Sequence, residues 1–170
     1  DVGDMLRHVG RFAGKTIDVV DGPDVLVMVN PEEIKQVVLN LLVNALDSIE
    51  ETGRVRVTVK QSGGEGVLTI SDNGCGMSEE VLEHLFEPFF TRRKAGQGTG
   101  LGLSIVHRIV ADHGGRIEAS SAGEGQGATF RVILPLAEIS AAPGAGREAG
   151  SRSPTSRDTT EETDHHSEAA

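Results

Sequence analysis

Residues 54–77, "RVRVTVKQSGGEGVLTISDNGCGM", set the fold class of this chain. Valine alternates with arginine, threonine and lysine from Arg54 to Gln61, a period-two pattern that predicts a half-buried strand. A second alternating run, Glu65 to Ser71, follows the Gly63-Gly64 turn, so the two runs predict an antiparallel hairpin. The second strand ends at Asp72, and "DNGCGM" begins there. Gly74 and Gly76 let the backbone turn sharply and approach a flat ligand closely. A carboxylate at such a strand end can accept a hydrogen bond from an exocyclic amino group. The plainer reading is an Asp-Asn-Gly turn with no ligand.

Upstream of the hairpin, "KTIDVV" (15–20) and "VLVMV" (25–29) read as short strands, and "NPEEIKQVVLNLLVNALDSIEETG" (30–53) reads as a long helix. Asn30 caps it, Pro31 suits its first turn, Glu33 completes a capping-box-like pair and Gly53 stops it. Downstream come a helical stretch from Ser78, a phenylalanine-rich segment and a flexible run, "RRKAGQG" (92–98). "TGLGLSIVHRIVADHGG" (99–115) predicts an amphipathic helix closed by Gly114 and Gly115, and "RIEASS" and "ATFRVILP" are the last two strands. Strand pairs come as hairpins with few βαβ crossovers. The expected fold is therefore α+β: a two-layer α/β sandwich with a mixed, mostly antiparallel sheet and helices on one face.

At 170 residues the chain has room for one domain with a proper core plus appendages. After "FRVILPLAEI" no large apolar residue remains, and such a composition buries too little surface to offset its ordering entropy. The expected division is a folded domain over residues 1–137 and a disordered acidic tail over 138–170, in which His165 and His166 read as an inert pair. Acidic residues outnumber basic ones 26 to 16, a formal charge of −10, which argues against a broad footprint on nucleic acid or an anionic membrane and leaves room for a local anion site. Cys75 is the one cysteine, so the chain holds no internal disulfide and no cysteine-built zinc site, and a reducing, cytoplasmic setting fits. No apolar run approaches the roughly 20 residues that span a bilayer.

Three constellations carry candidate chemistry. On the long helix, Asn40 and Asn44 share a face, with Asp47 and Ser48 a turn further along, among apolar neighbours. They read either as boundary amides or as hard oxygen donors toward magnesium and phosphate. "DNGCGM" is the second; within it Cys75 reads as a packing residue, since no base lies nearby in sequence. The third is "GQGTGLGLSI", where Gly98, Gly100 and Gly102 lead into a helix whose free amides and dipole can hold an anion. It is not a Walker loop, since no G-x-x-x-x-G-K-[ST] occurs in the chain. Nor is it the dinucleotide fingerprint, and the looser set Gly123, Gly125 and Ala128 leads into a strand, the wrong context for that motif.

In this order the motifs resemble one family: the ATP-binding catalytic domain of sensor histidine kinases, in the superfamily that includes DNA gyrase, mismatch-repair ATPases and certain heat-shock chaperones. "NLLVNALDSI" is similar to its N box, "DNGCGM" to its first G box, "FEPFFT" to its F box, "GTGLGL" to its second G box and "GATFRVILP" to its closing strand. The resemblance covers about residues 25–136, and the wording is most similar to kinases of the nitrogen-regulation type.

The resemblance implies a Bergerat fold and a pose for Mg-ATP. Asp72 would accept the adenine amino group, with Thr129 assisting through water, and Gly74, Gly76 and Met77 would line the adenine slot. Asn44 would contact phosphate, Asn40 would hold Mg2+, and Asp47 would lie near the nucleoside. Thr99, Gly100, Leu101 and Gly102 would offer amides to the phosphates. Residues 87–98 would form a lid, hinged and docked by Phe86, Phe89 and Phe90, and Arg92, Arg93 and Lys94 either neutralise phosphate or form a solvated loop. The partners implied are a histidine-bearing dimerisation domain, absent here, and a downstream response regulator, with no nucleic acid or direct membrane contact. No segment resembles the acceptor-histidine motif: His8 reads as a surface residue, and His84, His107 and His113 as structural or solvated. The chain reads as a catalytic fragment, monomeric by itself. ATPases of the superfamily carry a general-base glutamate where Asn40 stands, so slow intrinsic hydrolysis is expected. The rival readings are a degenerate, non-catalytic nucleotide-binding module and a topoisomerase-like or mismatch-repair-like ATPase.

Overall fold

The computed structural model describes residues 14–20, 22–91 and 99–137. The tail expected from residue 138, His8 and the basic run Arg92, Arg93 and Lys94 lie outside the described residues.

Alternation builds one five-stranded sheet from β1 (Thr16–Val20), β2 (Arg54–Ser62), β3 (Glu65–Asp72), β4 (Arg116–Ser120) and β5 (Ala128–Pro135), in the order β1-β2-β3-β5-β4. β1 runs parallel to β2 and the other pairs are antiparallel, the mixed sheet expected. Three helices complete the described domain: α1 (Pro31–Ser48), α2 (Glu79–His84) and α3 (Gly102–Asp112). Residues paired across a ladder share a face, and faces alternate along each strand. Val55 is therefore on the same side as Asp72 and Ala128, and Ile70 on the same side as Phe130. α1 packs on β2 and β3 and against α3, while α3 packs on β4 and β5, so both lie on that face.

The core forms where these surfaces meet. α1 contributes Val37, Leu41, Leu42, Ala45 and Leu46, and α3 contributes Val106, Ile109 and Val110. Opposite them sit Val55, Ile70, Phe130 and Val132 from the sheet. Asn40, Asn44, Asp47 and Ser48 follow the edge of the apolar stripe of α1 and are half-buried.

Four local expectations are corrected. Residues 25–29 make a single bridge, Val27 to Leu136, and no strand. Continuing that ladder would require Pro135, which has no N–H to donate. α1 ends at Ser48, five residues before Gly53: Ile49 takes an extended conformation, φ −94° and ψ 154°, and buries its side chain. Lys15 Nζ takes up the freed helix-end carbonyls, donating to Leu46 O at 2.6 Å and Ile49 O at 2.9 Å. At the other end Asn30 Oδ1 accepts from the Glu32 N–H as a cap should, but Glu33 does not close a capping box. The Asn30 N–H donates to His113 Nε2 at 3.0 Å, and the other ring nitrogen of His113 lies 2.8 Å from Ile109 O, so this imidazole ties the end of α3 to the start of α1. Finally, α3 starts at Gly102 and no side chain caps its first turn. No helix among the described residues is long and apolar enough to cross a membrane.

Candidate functional site

A cleft of about 520 Å³ opens between α1, the turn after β3 and the start of α3. Of the residues singled out from sequence, Asn40, Asn44, Asp47, Asp72, Gly76, Met77, Thr99, Gly100 and Gly102 line it. Asp72 and Ser48 meet at one end. Asn40 stands two helical turns away, about 12 Å along α1 at 1.5 Å per residue. Its Oδ1 lies 4.0 Å from where a Cβ on Gly102 would stand, so it borders the start of α3.

The carboxylate is held in place. Asp72 Oδ1 accepts from the Ser48 hydroxyl at 3.0 Å and from the Gly74 N–H at 2.9 Å. Burial pushes the Asp72 carboxyl above its ordinary range, while the Gly74 amide, the Ser48 hydroxyl and the Ala128 amide pull it back. A carboxylate has about four lone-pair positions, so this anchoring leaves capacity for a further donor from the cleft.

Gly74 and Leu101 act from behind the lining. Gly74 offers its amide to Asp72, and the Leu101 carbonyl accepts from the Ile105 N–H and the Ser104 hydroxyl. Thr129 is a correction. It pairs with Ser71, one residue out of phase with Asp72, so it points to the opposite face, where its hydroxyl donates to Ser71 Oγ at 3.0 Å. Ala128 stands beside Asp72 in the cleft instead.

The site also contains what sequence reading missed. The loop between β4 and β5 is stitched to the glycine turn: Ser121 Oγ accepts from the Met77 N–H at 3.0 Å and donates to Gly127 O at 2.6 Å. Gly125 donates to Cys75 O at 2.7 Å and Gly127 to Gly74 O at 3.1 Å. Gly76 sits at φ 63°, and a Cβ there would run into the Gly123 carbonyl. The glycines that failed as a dinucleotide motif are therefore the backing of this turn; their close spacing was the available signal. Val81, Leu85, Leu103 and Phe130 add apolar wall, the surface a flat aromatic ligand needs. Cys75, read as a packing residue, is exposed and lines the cleft.

The three phenylalanines separate. Phe90 lines the cleft, Phe86 packs at a tilt of 40° against His107 of α3 with ring centres 5.4 Å apart, and Phe89 is 74% exposed. His84 lies 6.1 Å from the Phe90 ring and 2.8 Å from Glu87, whose hydrogen bond raises the imidazole above its usual range.

Among the described residues no group of three or more His, Cys, Asp or Glu could cage a metal. A divalent cation in this cleft would rest on an amide oxygen, waters and ligand phosphates. Magnesium suits such a donor set, and the half-buried Asn40 Oδ1 at the start of α3 fits it.

Residues 29–138 match the family model described as histidine kinase-, DNA gyrase B-, and HSP90-like ATPase. Sensor histidine kinase ZraS of Escherichia coli O157:H7 is 41% identical over 110 residues, covering 65% of this chain and 23% of that protein. Nitrogen regulation protein NtrY of Azorhizobium caulinodans is 37% identical over 169 residues, covering 79% of this chain and 22% of that protein. The chain thus spans less than a quarter of the length of these relatives. Among solved structures, a mycobacterial sensor histidine kinase, MprB, superposes with a TM-score of 0.67 at 28% identity, covering 79% of this chain and 89% of that one.

Proposed function

The chain belongs to the histidine kinase-, DNA gyrase B- and HSP90-like ATPase family, and on that footing we propose that it is the ATP-binding catalytic part of a sensor histidine kinase. It binds Mg-ATP and presents the γ-phosphoryl group to a histidine on a separate dimerisation domain. The observation that carries this reading is Asp72: a carboxylate fixed through Oδ1 by Ser48 and Gly74, at one end of a cleft whose other end holds Asn40 and the start of α3.

Asp72 reads the adenine amino group, and Gly76 and Met77 form the slot that admits the ring. Asn44 contacts phosphate and Asp47 borders the nucleoside. The backbone from Thr99 to Gly102 turns amides and the α3 dipole toward the phosphates. Asn40 would hold Mg2+, which supplies neutralisation of phosphate charge. Phosphoryl transfer needs positioning and charge neutralisation more than covalent help, so these groups suffice once an acceptor is docked. An amide at position 40 cannot take a proton from water at neutral pH, so intrinsic hydrolysis is slow. The partners are the histidine-bearing domain and a response regulator, in the cytoplasm; the isolated chain is a monomer, and residues 138–170 are an acidic tail.

Calorimetric titration of ADP and a non-hydrolysable ATP analogue with magnesium, beside Asp72→Asn, tests the reading. Binding by the wild type that disappears in the variant supports it, and wild-type protein that binds neither nucleotide refutes it. Transfer of phosphate to an added histidine-bearing domain then separates a competent kinase from a nucleotide-binding module.

A further inference from the structure

Ser48, the last residue of α1, touches the glycine turn twice. Its carbonyl accepts from the Cys75 N–H at 3.0 Å, and its hydroxyl reaches Asp72 Oδ1 at 3.0 Å. The same hydroxyl lies 2.7 Å from Ala45 O within the helix. One hydroxyl proton cannot serve both acceptors. A carboxylate is the stronger of the two, so the proton turns to Asp72 while that group is ionised and to Ala45 once Asp72 is protonated.

We propose that Ser48 is a positioning residue for nucleotide recognition: its hydroxyl holds the Asp72 carboxylate ionised and aimed at the adenine amino group, and couples the base-reading turn to the helix that carries Asn40 and Asn44. This rests on the nucleotide reading above and adds a group that does not itself touch the base. Because Ser48 and Asn40 share one helix, the two ends of the site keep a fixed separation. Burial opposes the ionised carboxylate, and the Ser48 hydroxyl is one of three donors that favour it. The charged and titratable groups around Asp72 are Asp47 on α1, Cys75 in the turn, and Arg54 and Arg56 on β2, which share a groove with Asp72; β5 brings only Ala128.

The test is ADP titration with magnesium across pH 4 to 8 on the 170-residue chain and on Ser48→Ala and Ser48→Thr. Loss of a hydrogen bond to a charged group predicts about tenfold weaker binding by Ser48→Ala at neutral pH. Losing the same donor makes Asp72 easier to protonate, so the acid midpoint of binding should move upward by about one pH unit. Ser48→Thr keeps the hydroxyl and should restore both. Unchanged binding by Ser48→Ala overturns the proposal, and so does weaker binding with an unmoved midpoint, which a packing defect would give. If Ser48→Ala does not fold, Ser48→Cys, isosteric with a weak donor, is read the same way. Wild-type protein that binds no ADP at any pH removes the nucleotide reading itself, a different failure.

Discussion

The Phe89 N–H donates to Gly100 O at 3.0 Å, so the segment ending at Thr91 and the segment beginning at Thr99 lie side by side at the rim of the cleft. Phe89 is the one non-glycine residue with positive φ among those described, at 67°, and Gly100 mirrors it at 64°. Two left-handed residues back to back let the two segments of this clamp pass within van der Waals contact.

Gly100→Ala should therefore disturb the cleft from its rim. An alanine in this conformation costs about 1–2 kcal/mol, and its Cβ would stand 2.5 Å from the Phe89 carbonyl carbon. The expected outcome is ADP affinity lowered tenfold or more while the far-ultraviolet circular dichroism of the sheet and helices stays unchanged. An unaltered dissociation constant would show that the clamp does not shape the site.

Asp72→Asn should raise stability while removing binding. The folded carboxyl sits above its ordinary value of 3.8 because burial penalises the charge. The folded state thus holds the proton more tightly than the unfolded chain, so the ionised group costs stability above the folded pKa and that cost fades as pH falls through it. Asparagine keeps the Oδ1 acceptor for Ser48 and Gly74 without the charge. The ligand-free variant should melt above the wild type at pH 7, with the gap closing as pH falls through the raised carboxyl pKa, and calorimetry should find no ADP binding.

The hairpin was legible because its period-two valines needed no information from elsewhere in the chain, and Asp72, Asn40 and Asn44 followed from their places on predicted elements. Thr129 was not, because one residue of register separates the two sheet faces and the sequence of β5 alone does not fix its phase. Helix length failed for a similar reason: Gly53 is a valid local stop, but burial of Ile49 and a lysine 31 residues before Leu46 end the helix first. Ser121 was invisible because the partner that ties it to the site, the Met77 N–H, lies 44 residues away.

Lys15→Met tests that long-range stop. Without the ammonium, the carbonyls of Leu46 and Ile49 lose a charged donor at the negative end of the α1 dipole. The expected cost is about 1–3 kcal/mol, seen as a lower urea midpoint at unchanged slope. Lys15→Arg should recover part of it, since a guanidinium can still donate to both oxygens, whereas equal losses in the two variants would point to packing of the aliphatic stem.

Ser121→Ala should separate folding from recognition. The hydroxyl oxygen accepts from Met77 and Gly123 amides at 3.0 and 3.3 Å, and its proton goes to Gly127 O at 2.6 Å, all in a half-buried setting. Deleting it strands the Met77 N–H and the Gly127 carbonyl, at about 1–3 kcal/mol of stability. Ser48 and Gly74, the two groups bonded to Asp72 Oδ1, are not hydrogen-bond partners of Ser121, so the carboxylate keeps both. Weaker ADP binding with an unchanged acid midpoint is therefore expected, the opposite signature to Ser48→Ala. Amide exchange at Met77 and Gly127 should quicken in the variant before that of Ile70 in the core, and a uniform rise across the sheet would place Ser121 in global stability instead.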